Sequence, residues 1–218
     1  MSPRSTSRKG AKRTIVVTAG PTREPIDPVR YLSNESSGKM GFAIAEAGAK
    51  AGMRVILVAG PVSRPTPTGV ERVDVTTARE MLSATRAAFD EADALFMCAA
   101  VCDWRPRRKR TAKWRKEGVS EEVAKLELVR NPDILATLAK KKGERLVVGF
   151  ALETGDGLPR ALAKLERKRA DYVVLNDASV LGADRTTVTI LGRDGSARRL
   201  EDRTKRQVAR VLVGLKRP

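Results

Sequence analysis

The 218-residue chain carries 43 Lys and Arg against 26 Asp and Glu, a formal net charge of +17, with no His, two Cys and 4% aromatic residues. No stretch approaches the roughly 20 consecutive apolar residues that span a bilayer, the basic N-terminus runs into no signal-peptide-like apolar segment, and a 41% hydrophobic content is too high for a wholly disordered chain. Lack of His excludes Ser-His-Asp and Cys-His triads and His-ligated zinc; two Cys make no disulfide framework and fit a reducing, cytoplasmic setting.

Residues 1–13 are polar, basic and aperiodic and read as a disordered leader, with one domain expected over 14–218. Thr14 to Ala19 is apolar and β-branched, like a buried parallel strand. A long loop rich in Pro, Asn and Ser follows over 20–37, and loops of this length in compact domains are usually functional. Met40, Ala43, Ile44, Ala47 and Ala51 recur at helical spacing up to Gly52, a C-terminal stop. Gly48 inside that run marks close packing on a sheet. Arg54 to Gly60 predicts a second strand, Ala78 to Glu91 a helix capped by Thr76 or Thr77, and Ala94 to Val101 a third strand. Residues 104–118 predict a charged loop and Glu121 to Val129 a weak strand. Asn131 is a natural cap with Pro132 at the first helical position. Leu146 to Leu152 and Asp171 to Leu175 are the fourth and fifth strands, with a helix over Leu158 to Arg169 between them. Thr187 to Leu191 and Ala197 to Leu200 flank a hairpin signal at 192–195, and a last amphipathic helix covers 203–216. Strands alternating with helices predict a doubly wound α/β domain with a mostly parallel sheet and a C-terminal antiparallel hairpin extension.

In such a sheet ligands sit beyond the carboxyl ends of the strands. Those ends include Gly20-Pro21, Gly60-Pro61, Cys98 to Asp103, Phe150 to Glu153 and Leu175 to Asp177. Several are built of small residues that let a ligand approach the backbone. The first crossover has no G-x-G-x-x-G, and Gly38-Lys39 is only half a P-loop, because Met40 stands where Ser or Thr is needed. Ser33 to Gly41 nevertheless places hydroxyls, Gly and free N–H groups at a helix start, which makes an anion site. Asn34, Ser36, Ser37, Gly38 and Lys39 are its candidates. Cys98 and Cys102, four apart with no third Cys, read as strand-end residues rather than metal ligands or nucleophiles. Asp103 could hold a metal ion or a ribose hydroxyl, or cap a turn; Lys113 could neutralise phosphate.

The charge is segregated. Residues 1–13, 105–118 and 197–218 hold 21 of the 43 cationic and 3 of the 26 acidic side chains, which leaves the body close to neutral. A basic nucleic-acid-binding protein is therefore an alternative. Only Trp104 and Trp114 interleave with the basic run, and no recognition module accompanies them.

The blocks VTAGPTREPIDPVRYLSNESSGKMGFAIAEA, GPVS, AAVCDWRP, VRNPDIL, VGFALET and VLND, in this order and spacing, resemble phosphopantothenoylcysteine synthetase, the second half of the bacterial bifunctional coenzyme A biosynthesis flavoprotein. The resemblance implies a Rossmann-like fold and a homodimer. It implies ligation of 4′-phosphopantothenate to L-cysteine with CTP and Mg²⁺ or Mn²⁺, through an acyl-cytidylate. Asn34 matches the residue that stabilises that ester and Lys113 the essential flap lysine, with Arg115 or Lys116 as alternatives. Met97, Cys98, Ala99, Asp103, Lys113, Pro132, Asp133, Ile134, Leu135, Phe150, Lys164 and Lys168 match the nucleotide site; Asp103, from its place at the strand end, is also the metal candidate. Ser36, Ser37, Gly38 and Lys39 match the substrate loop. Cys102, Trp104 and Leu152 depart from the more usual Ala, Tyr and Ala, which leaves ATP as an alternative nucleotide. The decarboxylase half is missing, so no FMN is expected.

Overall fold

A computed structural model describes residues 12–115, 124–153, 155–177 and 184–218. In chain order the elements are β1 (Thr14–Ala19), β2 (Arg23–Pro25), β3 (Tyr31–Ser33), α1 (Lys39–Lys50), β4 (Arg54–Ala59), β5 (Val70–Asp74), α2 (Ala78–Phe89), β6 (Ala94–Met97) and β7 (Trp104–Pro106). There follow β8 (Leu128–Arg130), α3 (Ile134–Ala139), β9 (Leu146–Glu153), α4 (Leu158–Lys168), β10 (Tyr172–Asp177), β11 (Arg185–Gly192), β12 (Ala197–Thr204) and α5 (Lys205–Val213).

Eight strands form the main sheet in the order β12-β11-β10-β9-β6-β1-β4-β5. The six from β10 to β5 are parallel, and β11 and β12 extend the sheet antiparallel. The doubly wound sheet with a C-terminal hairpin is therefore the observed architecture. Alternation along each strand sends successive side chains to opposite faces. Ile15 and Val17 join Phe42, Ile44, Val208 and Leu212 under α1 and α5. Val16 joins Met81, Phe89, Leu138 and Leu165 under α2, α3 and α4. Burying each such side chain is worth about 1.5–3 kcal/mol.

Gly48 behaves as its position in the helix suggests: a Cβ there would lie 2.6 Å from Ile15 Cδ1 and 3.0 Å from Val55 Cγ2, so α1 rests directly on the sheet. Thr77 is the cap of α2, with Glu80 completing a capping box. The chain departs from expectation in five places. Val70–Asp74 forms an edge strand, β5, where the sequence reading assigns no element. The loop 20–37 contains a small antiparallel pair, β2 with β3. The charged stretch begins with β7, which pairs with β8; of the weak strand expected over 121–129, 121–123 lie outside the described residues and only 128–130 is strand. The third strand stops at Met97, and Ala100 makes only a single bridge with Pro21. Asn131 is not the cap of α3: Asp133 is, its carboxylate accepting from the Ala136 N–H at 2.9 Å, and Pro132 lies outside the helix. Asn131 is diverted because its Nδ2 donates to the Cys102 carbonyl at 2.9 Å and its N–H to the Asp103 carbonyl at 2.8 Å. It stitches the turn after β6 to the turn before α3. The leader expected over 1–13 is described only at Lys12 and Arg13.

Candidate active site

The chain leaves β1 toward β4 and β5, then returns to the other side of β1 at β6. This reversal opens a crevice beyond the carboxyl ends of β1 and β6. Its floor is tightly knit. Thr22 N–H donates to the Ala100 carbonyl at 3.2 Å, Ala100 N–H to Gly20 at 2.9 Å, and Cys102 N–H to Thr22 Oγ1 at 3.0 Å. Buried Glu24 accepts from Ala78 N–H at 2.8 Å and so ties the loop to the start of α2.

Two clefts open on this floor. The first, about 520 Å³, is lined by Glu35 to Gly41, Cys98 to Val101, Phe150 to Leu152, Asn176 and Thr186; Lys39, Lys164 and Lys205 are its cations and Glu35 and Asp103 its acids. The N-terminus of α1 opens into it. Gly38 takes φ +70 at the cap position, no side chain caps the helix, and no acid sits in its first turn. Exposed N–H groups at the positive end of a 12-residue helix attract an anion. A Cβ at Gly41 would lie 2.5 Å from Ala19 Cβ, so the helix start is pressed onto the end of β1.

The second cleft, about 770 Å³, shares Ala99, Val101, Asp103, Phe150 and Lys164 with the first. It adds Met97, Pro132 to Leu135, Glu153 and Trp104, with Arg130, Arg160, Arg167 and Lys168. Lys164 Nζ donates to the Phe150 carbonyl, and Lys168 pairs with Asp133. Burial lowers the pKa of both lysines, with the Asp103 charge working against it in each case. Arg160 pairs with Glu153 at 2.6 Å.

All the residues matched to the nucleotide site except Cys98 and Lys113 therefore line the second cleft. Cys98 lines the first, where burial pushes its thiol up to about 12. Cys102 is buried, also raised by burial, and donates to the Thr22 carbonyl. Neither thiol is ionised near neutrality, so neither is an activated nucleophile. Ser36 Oγ accepts from Gly38 N–H at 3.4 Å, and Lys39 pairs with Asp184 at 2.6 Å. Asn34 lines neither cleft; it is exposed beside Glu35, its Nδ2 donating to the carbonyl of cleft residue Ala100 at 3.3 Å. Lys113 lines neither cleft; it is exposed on a segment seated against the 26–30 turn.

Among the described residues no three acidic or thiol side chains gather into a metal cage, and Asp103 is a single exposed donor. No helix among them is long and apolar enough to cross a membrane. Sequence reasoning missed Lys205, Thr186, Arg130, Arg160 and Arg167 as site residues. One signal was available: Arg160, Lys164, Arg167 and Lys168 recur at i, i+4, i+7 and i+8, a cationic stripe on one face of α4.

A switch-point crevice at the carboxyl ends of parallel strands, flanked by lysines of α1, α4 and α5, places the chain among doubly wound α/β domains. The chain belongs to the family described as the DNA/pantothenate metabolism flavoprotein C-terminal domain, which matches residues 10–215. It is 47% identical over 171 residues to the coenzyme A biosynthesis bifunctional protein CoaBC of Vibrio vulnificus strain YJ016, covering 78% of this chain and 42% of that one. It is 46% identical over 186 residues to the same protein of Escherichia coli K12, covering 83% and 46%. The chain thus spans about half the length of the curated relatives it matches. The crystal structure of the C-terminal domain of CoaBC superposes with a TM-score of 0.79 at 39% identity, covering 92% of each chain. The resemblance read from the motifs is borne out, and the nucleic-acid alternative finds no support among these relatives.

Proposed function

We propose that this domain joins 4′-phosphopantothenate to L-cysteine at the expense of CTP. In the first half-reaction a carboxylate oxygen attacks the α-phosphorus and pyrophosphate leaves, giving an acyl-cytidylate. In the second the cysteine amine attacks the acyl carbon, CMP leaves and the amine proton departs. The observation that carries this reading is the junction of two cation-lined clefts at Asp103, Phe150 and Lys164. One cleft holds the nucleotide and the other the anionic acid, so the carboxylate meets the α-phosphorus where they join. Two polyanions repel, and fixed ammonium groups and backbone N–H donors offset that repulsion in a partly dry site.

Asn34 Nδ2 serves the oxyanion formed at the acyl carbon. Lys113, on its basic segment, serves the second half-reaction. Ser36, Ser37 and Gly38 offer N–H and hydroxyl donors to phosphate or carboxylate, with Lys39 beside them. Asp103 would hold Mg²⁺ or Mn²⁺ carried by the nucleotide, and the ion would neutralise phosphate charge as pyrophosphate leaves. Neither half-reaction moves electrons, so the step needs no flavin. Tyr31, Trp104 and Leu128 on the two minor sheets, and Val29 in the turn between β2 and β3, are exposed, and we assign these apolar groups to a homodimer face. The two free thiols fit a cytoplasmic setting.

The test is pyrophosphate release with phosphopantothenate, cysteine and Mg²⁺, measured side by side with CTP, ATP, GTP and UTP. CTP is expected to give the highest rate. No release with any of the four overturns the reading.

A further inference from the structure

The buried carboxylate of Asp27 is more heavily engaged than a turn requires. Its Oδ1 accepts from the N–H groups of Val29 at 2.9 Å and Arg30 at 2.8 Å. Those two bonds complete an ordinary Asx turn. Its Oδ2 accepts three more: from Arg30 Nε at 2.9 Å, Arg30 Nη2 at 2.6 Å and, across 87 residues of chain, from Trp114 N–H at 3.0 Å. The side chain of Asp27 is fully shielded from solvent. Burial works to raise its pKa, but the donors from Trp114, Val29 and Arg30 outweigh it and hold the group below the usual carboxylate range.

Three further ties run between the same two segments. Arg110 N–H donates to the Ile26 carbonyl at 2.8 Å. Arg30 Nη2 donates to the Trp114 carbonyl. The Trp114 ring has the guanidinium of Arg30 6.0 Å from its centroid and, within its own segment, that of Arg110 at 4.2 Å. Lys113 is thus flanked by residues fastened to the 26–30 turn. The other end of that turn feeds β3, which leads directly into Asn34.

We propose that Asp27 is a positioning residue, the latch that holds the basic segment 107–115 in a fixed relation to Asn34. The inference rests on the ligase reading for its consequence, but the latch itself is a structural claim. Asp27 touches no reactant; it acts through Trp114 and Arg30. An isosteric Asn at this position keeps one carbonyl oxygen for the Asx turn. Its NH₂ must then face the N–H donors of Arg30 and Trp114, so the segment is released while the turn survives.

The test uses Asp27→Asn in the full chain. The chain contains two Trp, so a Trp104→Phe background makes Trp114 the sole reporter for fluorescence, while kinetics are run without that change. Acrylamide quenching of Trp114 is expected to rise about twofold on release into solvent. The kcat for pyrophosphate-coupled amide formation is expected to fall about 10²-fold, the cost of a small misplacement in a catalytic array, with the KM for nucleotide within about twofold. Trp114→Pro deletes the donor N–H from the loop side and leaves the carboxylate intact; it is expected to reproduce the loss of kcat even if Asp27→Asn fails to fold. Unchanged Trp114 quenching in Asp27→Asn overturns the latch, whether or not the enzyme turns over. Raised quenching with undiminished kcat overturns the positioning role, as does full activity in Trp114→Pro. Absence of turnover in the unmodified protein sinks the ligase reading instead, and quenching still decides the latch.

Discussion

Lys164 Nζ donates to the carbonyl oxygen of Phe150 at 2.5 Å, and both residues belong to the walls of both clefts. One ammonium therefore stands where the two anionic reactants are proposed to meet. Burial lowers its pKa from 10.5, against the raising effects of Glu153 and Asp103. An anion needs the charged form, so affinity falls as pH rises through the lowered value. In the free protein the sign is opposite: the unfolded chain holds this proton more tightly, so the residue's share of stability increases with pH over the same window. CTP affinity, measured by calorimetry as pH is raised toward 10.5, is expected to weaken in the unmodified protein. It should stay flatter in Lys164→Arg, whose guanidinium does not titrate there.

Asn34 is exposed and makes one side-chain bond, to Ala100. Asn34→Asp places a carboxylate oxygen against that carbonyl and adds negative charge beside an anion cleft. Turnover is expected to drop by about 10²- to 10³-fold, the usual cost of losing an oxyanion donor. The melting temperature should barely move, because surface changes usually fall within about 0.5 kcal/mol. A steady-state rate equal to that of the unmodified protein removes Asn34 from the mechanism.

Lys113 and Arg115 are two residues apart on the same exposed segment. Lys113→Gln is expected to leave the first burst of pyrophosphate intact and to slow cysteine consumption, so that the acyl-cytidylate becomes detectable by mass spectrometry. Full activity in Lys113→Gln, with loss in Arg115→Gln, transfers the role to the neighbour.

The turns after β1 and β4 interlock. A Cβ at Gly60 would lie 1.7 Å from the Pro21 carbonyl oxygen, a backbone atom with nowhere to go. Gly60→Ala is expected to cost at least about 3 kcal/mol, a fall of roughly 6–12 °C in melting temperature for a chain of this size. Gly52, at φ +77 with nothing within 4 Å of its would-be Cβ, is the control. Gly52→Asn should cost little, since Asn tolerates that conformation. Equal melting temperatures for the two variants would show that the turns are not locked together.

The long strands and helices were legible because their burial is periodic and continuous. Ile15, Val16 and Val17 are all shielded from solvent, one alternating onto each face. The strand β5 was not legible: Val70-Glu71-Arg72-Val73-Asp74 alternates weakly at the sheet edge, where no second neighbour demands apolar cover. The cap of α3 was misplaced by two residues because Asn131 and Asp133 are both good caps. Only tertiary structure assigns Asn131 to the Cys102 and Asp103 carbonyls. Most of the nucleotide-site positions suggested by family motifs do come together, because they sit at strand ends and on one face of α4. Lys113 does not join them, since its position depends on Asp27, a residue that reads in sequence as nothing more than a turn former. Lys205 was missed because a lysine in a basic C-terminal run looks like solvent decoration until the sheet brings α5 beside α1.

The antiparallel extension leaves β12 at the margin of the main sheet, with one row of peptide groups unpaired by any described strand. Arg198, Arg199 and Arg203 stand exposed along it. Arg199 is paired with Glu201 at 2.8 Å and Asp202 with Arg185 at 2.5 Å, so Arg198 and Arg203 carry the border's net positive charge, and a second molecule adding edge to edge meets that charge with its own. Part of the cationic excess therefore serves colloidal dispersal rather than ligand capture, and concentrated salt, which shortens the reach of that repulsion, is the condition under which the border becomes sticky.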